Sequence, residues 1–145
     1  MDIAPIINGI KFKARVVCLV RTPRGFLFEK SDHDYIFVIG GKVSIEETIE
    51  AAVRRELMEE IGMNVGSMSL RAIVENLYGA DQNKVHEICF VFDIVDVFEG
   101  KIPEGFLEVS LEDLHKYEIQ PESIVKILTN KNGAFEYILV NEWKK

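Results

Sequence analysis

The stretch GKVSIEETIEAAVRRELMEEIGM, residues Gly41 to Met63, decides how the rest of this 145-residue chain is interpreted. Its apolar residues recur at three- and four-residue steps: Ile49, Ala52, Val53, Leu57 and Ile61. That spacing predicts a helix with one buried stripe. Ser44 followed by Glu47 is a capping-box pattern at the start, and Gly62 suits a left-handed turn at the end. The stretch therefore predicts a loop, a helix and a second loop.

Three glutamates lie on one face of this predicted helix: Glu56, Glu59 and Glu60. Like-charge pairs at such spacing cost roughly 0.2–0.5 kcal/mol each when nothing neutralises them. A solvated acidic face is one explanation. However, the glutamates cluster at the C-terminal end, where the helix dipole disfavours anions, and this argues for a bound cation. Oxygen ligands of this kind suit Mg²⁺ or Mn²⁺.

The whole stretch resembles the Nudix box, G-x5-E-x7-R-E-U-x-E-E-x-G-U, in which U is a bulky aliphatic residue. Every fixed position is filled: Gly41, Glu47, Arg55, Glu56, Leu57, Glu59, Glu60, Gly62 and Met63. The resemblance implies an α/β class fold, the Nudix α/β/α sandwich with a mixed central sheet. The implied activity is hydrolysis of a nucleoside diphosphate linked to another group.

The same resemblance assigns roles within the box. It implies that Mg²⁺ (or Mn²⁺) is held by Glu56, Glu59 and Glu60, with the Gly41 carbonyl as a further ligand. Arg55 would orient the glutamates. Capping alone explains Glu47, and the resemblance adds a supporting contact from Glu47 to Arg55.

Length, composition and net charge limit which classes of protein this chain can belong to. A length of 145 residues suits one domain, residues 1–145, and 48% hydrophobic residues indicate a globular protein. A net charge of −7 argues against general nucleic-acid binding, which needs a basic footprint. Cys18 and Cys89 lie in apolar runs and are expected to be buried, reduced thiols. With no signal-peptide pattern and no apolar run near the roughly 20 residues of a membrane span, we expect a cytoplasmic protein without membrane contact.

Before the box, residues 11–20 alternate as a strand does, with Phe12, Ala14, Val16, Cys18 and Val20 on one side. Arg15 lies on the other side, where it could meet substrate, although a solvated strand end explains it equally well. Residues 25–29 are predicted to form the returning half of a hairpin. Tyr35 starts a short strand that enters Gly40 and Gly41. Many relatives have proline before this glycine pair, and Ile39 stands there here.

After the box, residues 67–76 are predicted to form a strand, and the almost continuously apolar residues 85–95 a strand covered on both faces. Glu87 near the start of the second strand has two interpretations. It could lie at a solvent-facing strand end, or it could be a further metal ligand or the base that activates water. The segment ENLY…HEI, residues 75–88, resembles a bacterial Nudix subgroup, and this favours a functional role for Glu87.

Four further elements are predicted: a strand over 104–109, a short capped helix over 110–114, a helix over 121–128 and a strand over 135–140. With the earlier elements, this order suggests a mixed sheet between helices. The Nudix resemblance extends over residues 13–128. Arg15, Tyr35 and Tyr78 are the candidate substrate-binding residues, although aromatic residues in strands usually belong to a core.

The substrate class stays open at this stage. Nucleoside triphosphates cleaved to monophosphate and pyrophosphate are favoured because the chain is short. ADP-ribose, sugar nucleotides and dinucleoside polyphosphates are alternatives. Relatives acting on ADP-ribose often have a proline about sixteen residues past the box, and this chain has none. A catalytically silent nucleotide-binding module is the alternative from another class, and a homodimer is compatible with the resemblance. Glu56, Glu60 and Glu87 all remain candidates for the catalytic base.

Overall fold

A mixed sheet with one helix on each face forms the framework of the computed structural model, which describes residues 1–130 and 132–143. Lys131, Lys144 and Lys145, part of the predicted domain, lie outside this description. The strands are β1 (Ile6–Ile7), β2 (Ile10–Leu19), β3 (Arg21–Thr22), β4 (Gly25–Lys30), β5 (Tyr35–Lys42), β6 (Met68–Tyr78), β7 (Val85–Ile94), β8 (Phe106–Val109), β9 (Glu118–Gln120) and β10 (Glu136–Asn141). The helices are α1 (Ile49–Ile61) and α2 (Ser123–Thr129), and short 3₁₀ turns span Asp81–Asn83 and Leu111–Lys116.

The strand order is β10-β6-β7-β2-β5-β4-β3, with β1, β8 and β9 added beside β2, β4 and β5. Strand β2 pairs in parallel with β7 and antiparallel with β5. Strand β10 pairs in parallel with β6, so both pairing modes occur in one sheet. The predicted mixed α/β sheet is therefore confirmed.

Alternation along β2 divides the core into two clusters. Val16, Cys18 and Val20 pack with Ala52, Val53 and Leu57 of α1. The intervening residues Val17 and Leu19 pack with Ile124 and Ile127 of α2. We call these the α1 face and the α2 face of the sheet. Both cysteines are buried and free, as predicted.

Buried Arg71 on β6 ties α2 to the sheet. Its Nη2 donates to the Ile127 carbonyl at 3.0 Å and to the Asn130 carbonyl at 3.3 Å. Each carbonyl also accepts a backbone N–H, from Asn130 and from Gly133, so Arg71 adds a side-chain link between β6 and the end of α2. Arg71 therefore holds α2 against β6.

Several element bounds differ from the predictions: strand β8 begins at Phe106 instead of Glu104, and strand β5 continues through the glycine pair to Lys42. Helix α2 begins at Ser123 instead of Pro121, and residues 111–116 form a 3₁₀ helix. The Ser110 side chain makes no capping hydrogen bond. Within the described ranges, no helix is both long and apolar enough to cross a membrane.

Candidate active site

Helix α1 begins later than the capping-box pattern predicts. Thr48 is the N-cap, and its Oγ1 accepts a hydrogen bond from the Ala51 N–H at 3.0 Å. The predicted bond from the Ser44 N–H to Glu47 Oε1 does form, at 3.0 Å, but within the loop that precedes the helix. The predicted end is correct, because Gly62 closes the helix in the left-handed region with φ of 63°. Ser44 and Glu47 therefore shape the loop, and Thr48 starts the helix.

Arg55 connects this loop to the acidic end of α1. Its Nε and Nη2 hold both oxygens of Glu47 at 2.7 and 2.9 Å. Nη1 donates to Glu56 at 3.0 Å and to Glu59 at 3.3 Å, while Nη2 also donates to the Lys42 carbonyl at 3.0 Å. Hydrogen bonds from Arg55 lower the pKa of Glu47 to about 2. Arg55 therefore holds the carboxylates of Glu47, Glu56 and Glu59 relative to one another.

The three box glutamates have different surroundings. Glu56 is buried, the Glu59 side chain is 61% exposed, and Glu60 is intermediate. Burial raises the pKa of Glu56, an effect that Arg55 opposes and that Glu59 and Glu60 reinforce. Burial also raises the pKa of Glu60, with a further contribution from Glu29. Concentrated negative charge thus surrounds the C-terminal half of α1.

Glu29 is a member of this acidic group that the sequence interpretation missed. It lies on β4, two residues from Leu27, which packs in the α1-face cluster. Burial, and then the charge of Glu56, raise the pKa of Glu29. Alternation along β4 was the available signal, because it places Leu27 and Glu29 on one side of the strand.

At Gly41 the backbone of β5 comes close to the Glu56 carboxylate, as a metal site between them would require. It pairs with Val16 on the α1 face, and a Cβ atom at this position would lie 2.1 Å from Glu56 Oε1. Any side chain would displace the Glu56 carboxyl group. Carboxylate and carbonyl oxygens together form the donor set that Mg²⁺ and Mn²⁺ accept. The residues therefore fit such an ion. Among the described residues, no three acidic, histidine or cysteine side chains already converge around a metal position, so water would supply remaining ligands.

A cavity of about 680 Å³ opens on the α2 face. Strands β2, β5, β6, β7 and β10 form one wall, and residues 120–126 form the other. The predicted residues Arg15, Tyr78 and Glu87 line it. Tyr35 does not; its ring stacks on His33 at 5.5 Å and meets Phe37 edge-on at 5.1 Å. The structure thus brings Arg15, Tyr78 and Glu87 together and leaves Tyr35 outside the cavity.

Glu87 belongs to the α2 face, not to the face that carries the box glutamates. It pairs with Lys13 and lies two residues from Cys89, which packs in the α2-face cluster. Glu87 Oε1 accepts hydrogen bonds from Asn76 Nδ2 at 3.2 Å and from the Cys89 thiol at 3.3 Å. Burial, and then Glu87, raise the pKa of Cys89, so the thiol stays protonated and remains a donor. Asn76 and Cys89 were not predicted as site residues.

Strand β5 connects the two regions. Val38 lines the cavity on the α2 face, and Gly41, three residues later, lies beneath Glu56 on the α1 face. On β2, Arg15 faces the cavity and pairs with Lys42, whose carbonyl accepts from Arg55. A single short stretch of two paired strands therefore separates the cavity from the acidic group.

Comparisons with known proteins agree with this architecture. The NUDIX domain model matches residues 10–137. The mutator MutT protein from Bacillus halodurans superposes with a TM-score of 0.72 at 20% identity, covering 89% of each chain. A MutT NUDIX hydrolase from Burkholderia pseudomallei gives 0.67 at 21% identity, covering 82% of this chain and 98% of its own.

An ADP-ribose pyrophosphatase from Streptococcus suis gives a TM-score of 0.59 at 14% identity, covering 86% of this chain and 98% of its own. No curated protein sequence matches the chain. The family model covers most of the chain, and the box residues adopt the arrangement described above. The chain belongs to the NUDIX domain family and is a Nudix pyrophosphohydrolase, acting on nucleoside diphosphates linked to another group.

Proposed function

We propose that this enzyme hydrolyses the diphosphate linkage of a nucleoside triphosphate, with Mg²⁺ or Mn²⁺ as its cofactor. The observation that carries the proposal is the contact between Gly41 and Glu56. A Cβ atom at position 41 would lie 2.1 Å from Glu56 Oε1, so only glycine leaves room for the buried Glu56 carboxylate beside this backbone. Glu56, Glu59, Glu60 and the Gly41 carbonyl would hold the ion.

A bound divalent ion would neutralise charge on the diphosphate and lower the pKa of a coordinated water. The chain's own residues set the geometry. Arg55 fixes Glu56 and Glu59 through Nη1, and Glu47 fixes Arg55 in turn. Phosphoryl transfer depends chiefly on such positioning and on charge stabilisation. We assign the uptake of the water proton to Glu56 or Glu60, because Glu87 faces the cavity on the other side of the sheet.

The cavity supports a nucleotide substrate. Its volume is within the roughly 300–1,000 Å³ typical of small-molecule sites. Arg15 and Tyr78 line it and would contact the nucleoside or its first phosphate. Relatives acting on ADP-ribose often have a proline about sixteen residues past the box, and its absence here favours a triphosphate. The ADP-ribose pyrophosphatase neighbour keeps ADP-ribose as the second candidate.

The test is a substrate panel with identification of products. It includes ordinary and oxidised nucleoside triphosphates, ADP-ribose, sugar nucleotides, dinucleoside polyphosphates and nucleoside monophosphates. We expect triphosphates to yield monophosphate and pyrophosphate, with ¹⁸O from labelled water on one phosphorus-containing product. Monophosphates should remain nearly untouched, because they have no diphosphate. Faster turnover of ADP-ribose than of every triphosphate would refute the substrate class, and label on a sugar carbon would refute attack at phosphorus.

A further inference from the structure

Buried polar atoms without partners concentrate in the α2-face cavity. Among the described residues, four buried side-chain nitrogen or oxygen atoms make no hydrogen bond. Three of them belong to cavity residues: Arg15 Nε, Glu87 Oε2 and Ser123 Oγ. Native proteins leave few buried polar groups unpaired, because each such group loses its hydration without replacement. The cavity therefore offers unused hydrogen-bonding capacity to a ligand.

Glu87 is the most informative of these residues, because only one of its two carboxylate oxygens has hydrogen-bond partners. Oε1 already accepts from Asn76 and from Cys89. Oε2 has no hydrogen bond, and its nearest charged neighbour is Arg15 Nη1 at 4.0 Å. The Glu87 side chain is only 8% exposed, so bulk water does not easily satisfy this oxygen. Asn76 and Cys89 also fix the carboxylate, so that Oε2 is presented in one orientation.

The charge of the cavity indicates which part of a nucleotide meets Glu87. Three carboxylates, Glu87, Glu122 and Glu142, line it together with two cations, Arg15 and Lys126. The balance of three negative and two positive charges does not favour a polyphosphate deep in the cavity. A carboxylate accepts hydrogen bonds and cannot donate them. Glu87 therefore suits an N–H or O–H group on the neutral part of the ligand.

We propose that Glu87 is a specificity-determining residue: Oε2 accepts a hydrogen bond from the nucleobase or the ribose, while Arg15 Nε donates to a neighbouring acceptor on the same group. This inference rests on the proposed function, because it concerns the nucleotide that the same enzyme binds. It assigns Glu87 to recognition instead of catalysis or metal binding. A buried polar site rejects analogues that lack the matching donor far more strongly than an apolar pocket does.

The experiment measures binding of nucleoside 5′-monophosphates to the full chain in EDTA, where no turnover occurs. Paired ligands differ by one donor: guanine against hypoxanthine and adenine against purine for the base, ribose against 2′- or 3′-deoxyribose for the sugar. We expect one deletion to weaken wild-type binding at least about tenfold. The pair that shows this loss identifies the base or the sugar as the source of the donor.

Glu87→Ala should weaken binding of the parent nucleotide by the same factor and add no further loss for the analogue, since the two changes remove one interaction. Glu87→Gln keeps the shape if the alanine variant does not fold. Its oxygen must face Asn76 and Cys89, so its NH₂ group would meet the ligand donor, and binding should again fall at least about tenfold. Glu112→Gln, an exposed change of equal charge, is the control and should bind as the wild type does.

Three results would overturn the proposal: equal wild-type affinity within every ligand pair, Glu87 variants that bind as the wild type does, or no measurable binding of any of these nucleotides. With the substrate found by the panel, Glu87→Ala should raise KM while kcat stays within about threefold. A kcat loss of about 100-fold or more at unchanged binding would instead make Glu87 the base. Failure of hydrolysis on the panel would refute the proposed function, and the EDTA binding result would still decide the role of Glu87.

Discussion

The carboxylates on the two faces of the sheet differ in whether the protein supplies their hydrogen-bond partners. On the α1 face, Arg55 binds Glu47, Glu56 and Glu59, so the protein itself supplies the partner of these three carboxylates. On the α2 face, Glu87 keeps a buried oxygen without a hydrogen bond. The first arrangement holds carboxylates in place for chemistry. The second leaves capacity for a ligand, at a cost of about 1–3 kcal/mol for an unsatisfied buried group.

Gly41→Ala should have the largest effect on the α1 face. The new Cβ would lie 2.1 Å from Glu56 Oε1, and the carboxyl group can relieve this overlap by moving away. We expect the fold to persist and metal-dependent turnover to fall at least about 100-fold, the range seen when a group that stabilises the transition state is lost. Steady-state kinetics and circular dichroism measure the two outcomes.

Gly100→Ala is the matched control, because its Cβ would come no closer than 3.5 Å to a neighbour. It should leave turnover unchanged. Retention of more than a third of wild-type turnover by Gly41→Ala would remove the argument that this close approach serves the reaction.

Glu56→Gln should abolish the metal-dependent rise in melting temperature. A ligand that binds only the folded state stabilises it by mass action, by about 2.7 kcal/mol at 100 times its dissociation constant. The variant loses the buried carboxylate and with it much of the affinity for Mg²⁺ or Mn²⁺. Differential scanning fluorimetry across a metal titration gives the result. Glu50→Gln, on an exposed position of the same helix, should respond as the wild type does, and an equal response from Glu56→Gln would contradict the assignment.

Arg55→Met should lower stability at neutral pH by about 1.5–3 kcal/mol, the range for hydrogen bonds to charged groups. The Glu47 pKa falls from an ordinary value of 4.5 to about 2 in the folded protein. A depressed carboxyl pKa contributes stability that is fully present above about pH 4.5 and is lost as the pH falls through about 2. The difference between wild type and variant should therefore shrink over that window. Urea unfolding at several pH values measures it.

Arg24→Met, an exposed change in the turn before β4, serves as the control for Arg55→Met. Its stability difference from the wild type should stay near zero throughout. A difference for Arg55→Met that is constant from pH 7 to pH 2 would show that Glu47 does not depend on Arg55.

Tyr35→Ala should have the smallest effect on function. The residue lies outside the cavity and contacts His33 and Phe37, so its loss removes aromatic pairs worth about 0.5–1.5 kcal/mol each. We expect a modest decrease in stability and a KM within about twofold of the wild-type value. A tenfold increase in KM at unchanged kcat would restore Tyr35 to the substrate-binding residues.

The same contrast explains what the sequence could predict. The α1 face comes from one continuous stretch, so helical spacing alone places Glu56, Glu59 and Glu60 together. The predicted start of α1 was wrong because Glu47 accepts hydrogen bonds from both Ser44 and Arg55. The Ser44–Glu47 pair therefore belongs to the loop and does not cap the helix. Local periodicity could not distinguish that role from a cap.

The α2-face cavity is assembled from β2, β6, β7 and α2, which are far apart in the chain. In the apolar run of β7 both faces are buried, so the run itself does not say which face Glu87 occupies. The partners Asn76 and Cys89 follow only from the strand register. The prediction for Tyr35 did not consider which face of the sheet it occupies. Ile36 and Val38 pack on the α2 face, and alternation along β5 directs Tyr35 to the other side. The positions of these residues depend on how the strands pair, and local sequence preferences do not predict that pairing.

We propose that the metal binds on the α1 face of the sheet and the nucleoside on the α2 face. Electron paramagnetic resonance of free Mn²⁺ tests it directly, by counting bound ions for the wild type, Glu60→Gln and Glu87→Gln in the absence of nucleotide. We predict at least a tenfold weaker affinity for Glu60→Gln and an unchanged affinity for Glu87→Gln. Loss of Mn²⁺ binding in Glu87→Gln, with normal binding in Glu60→Gln, would contradict the account.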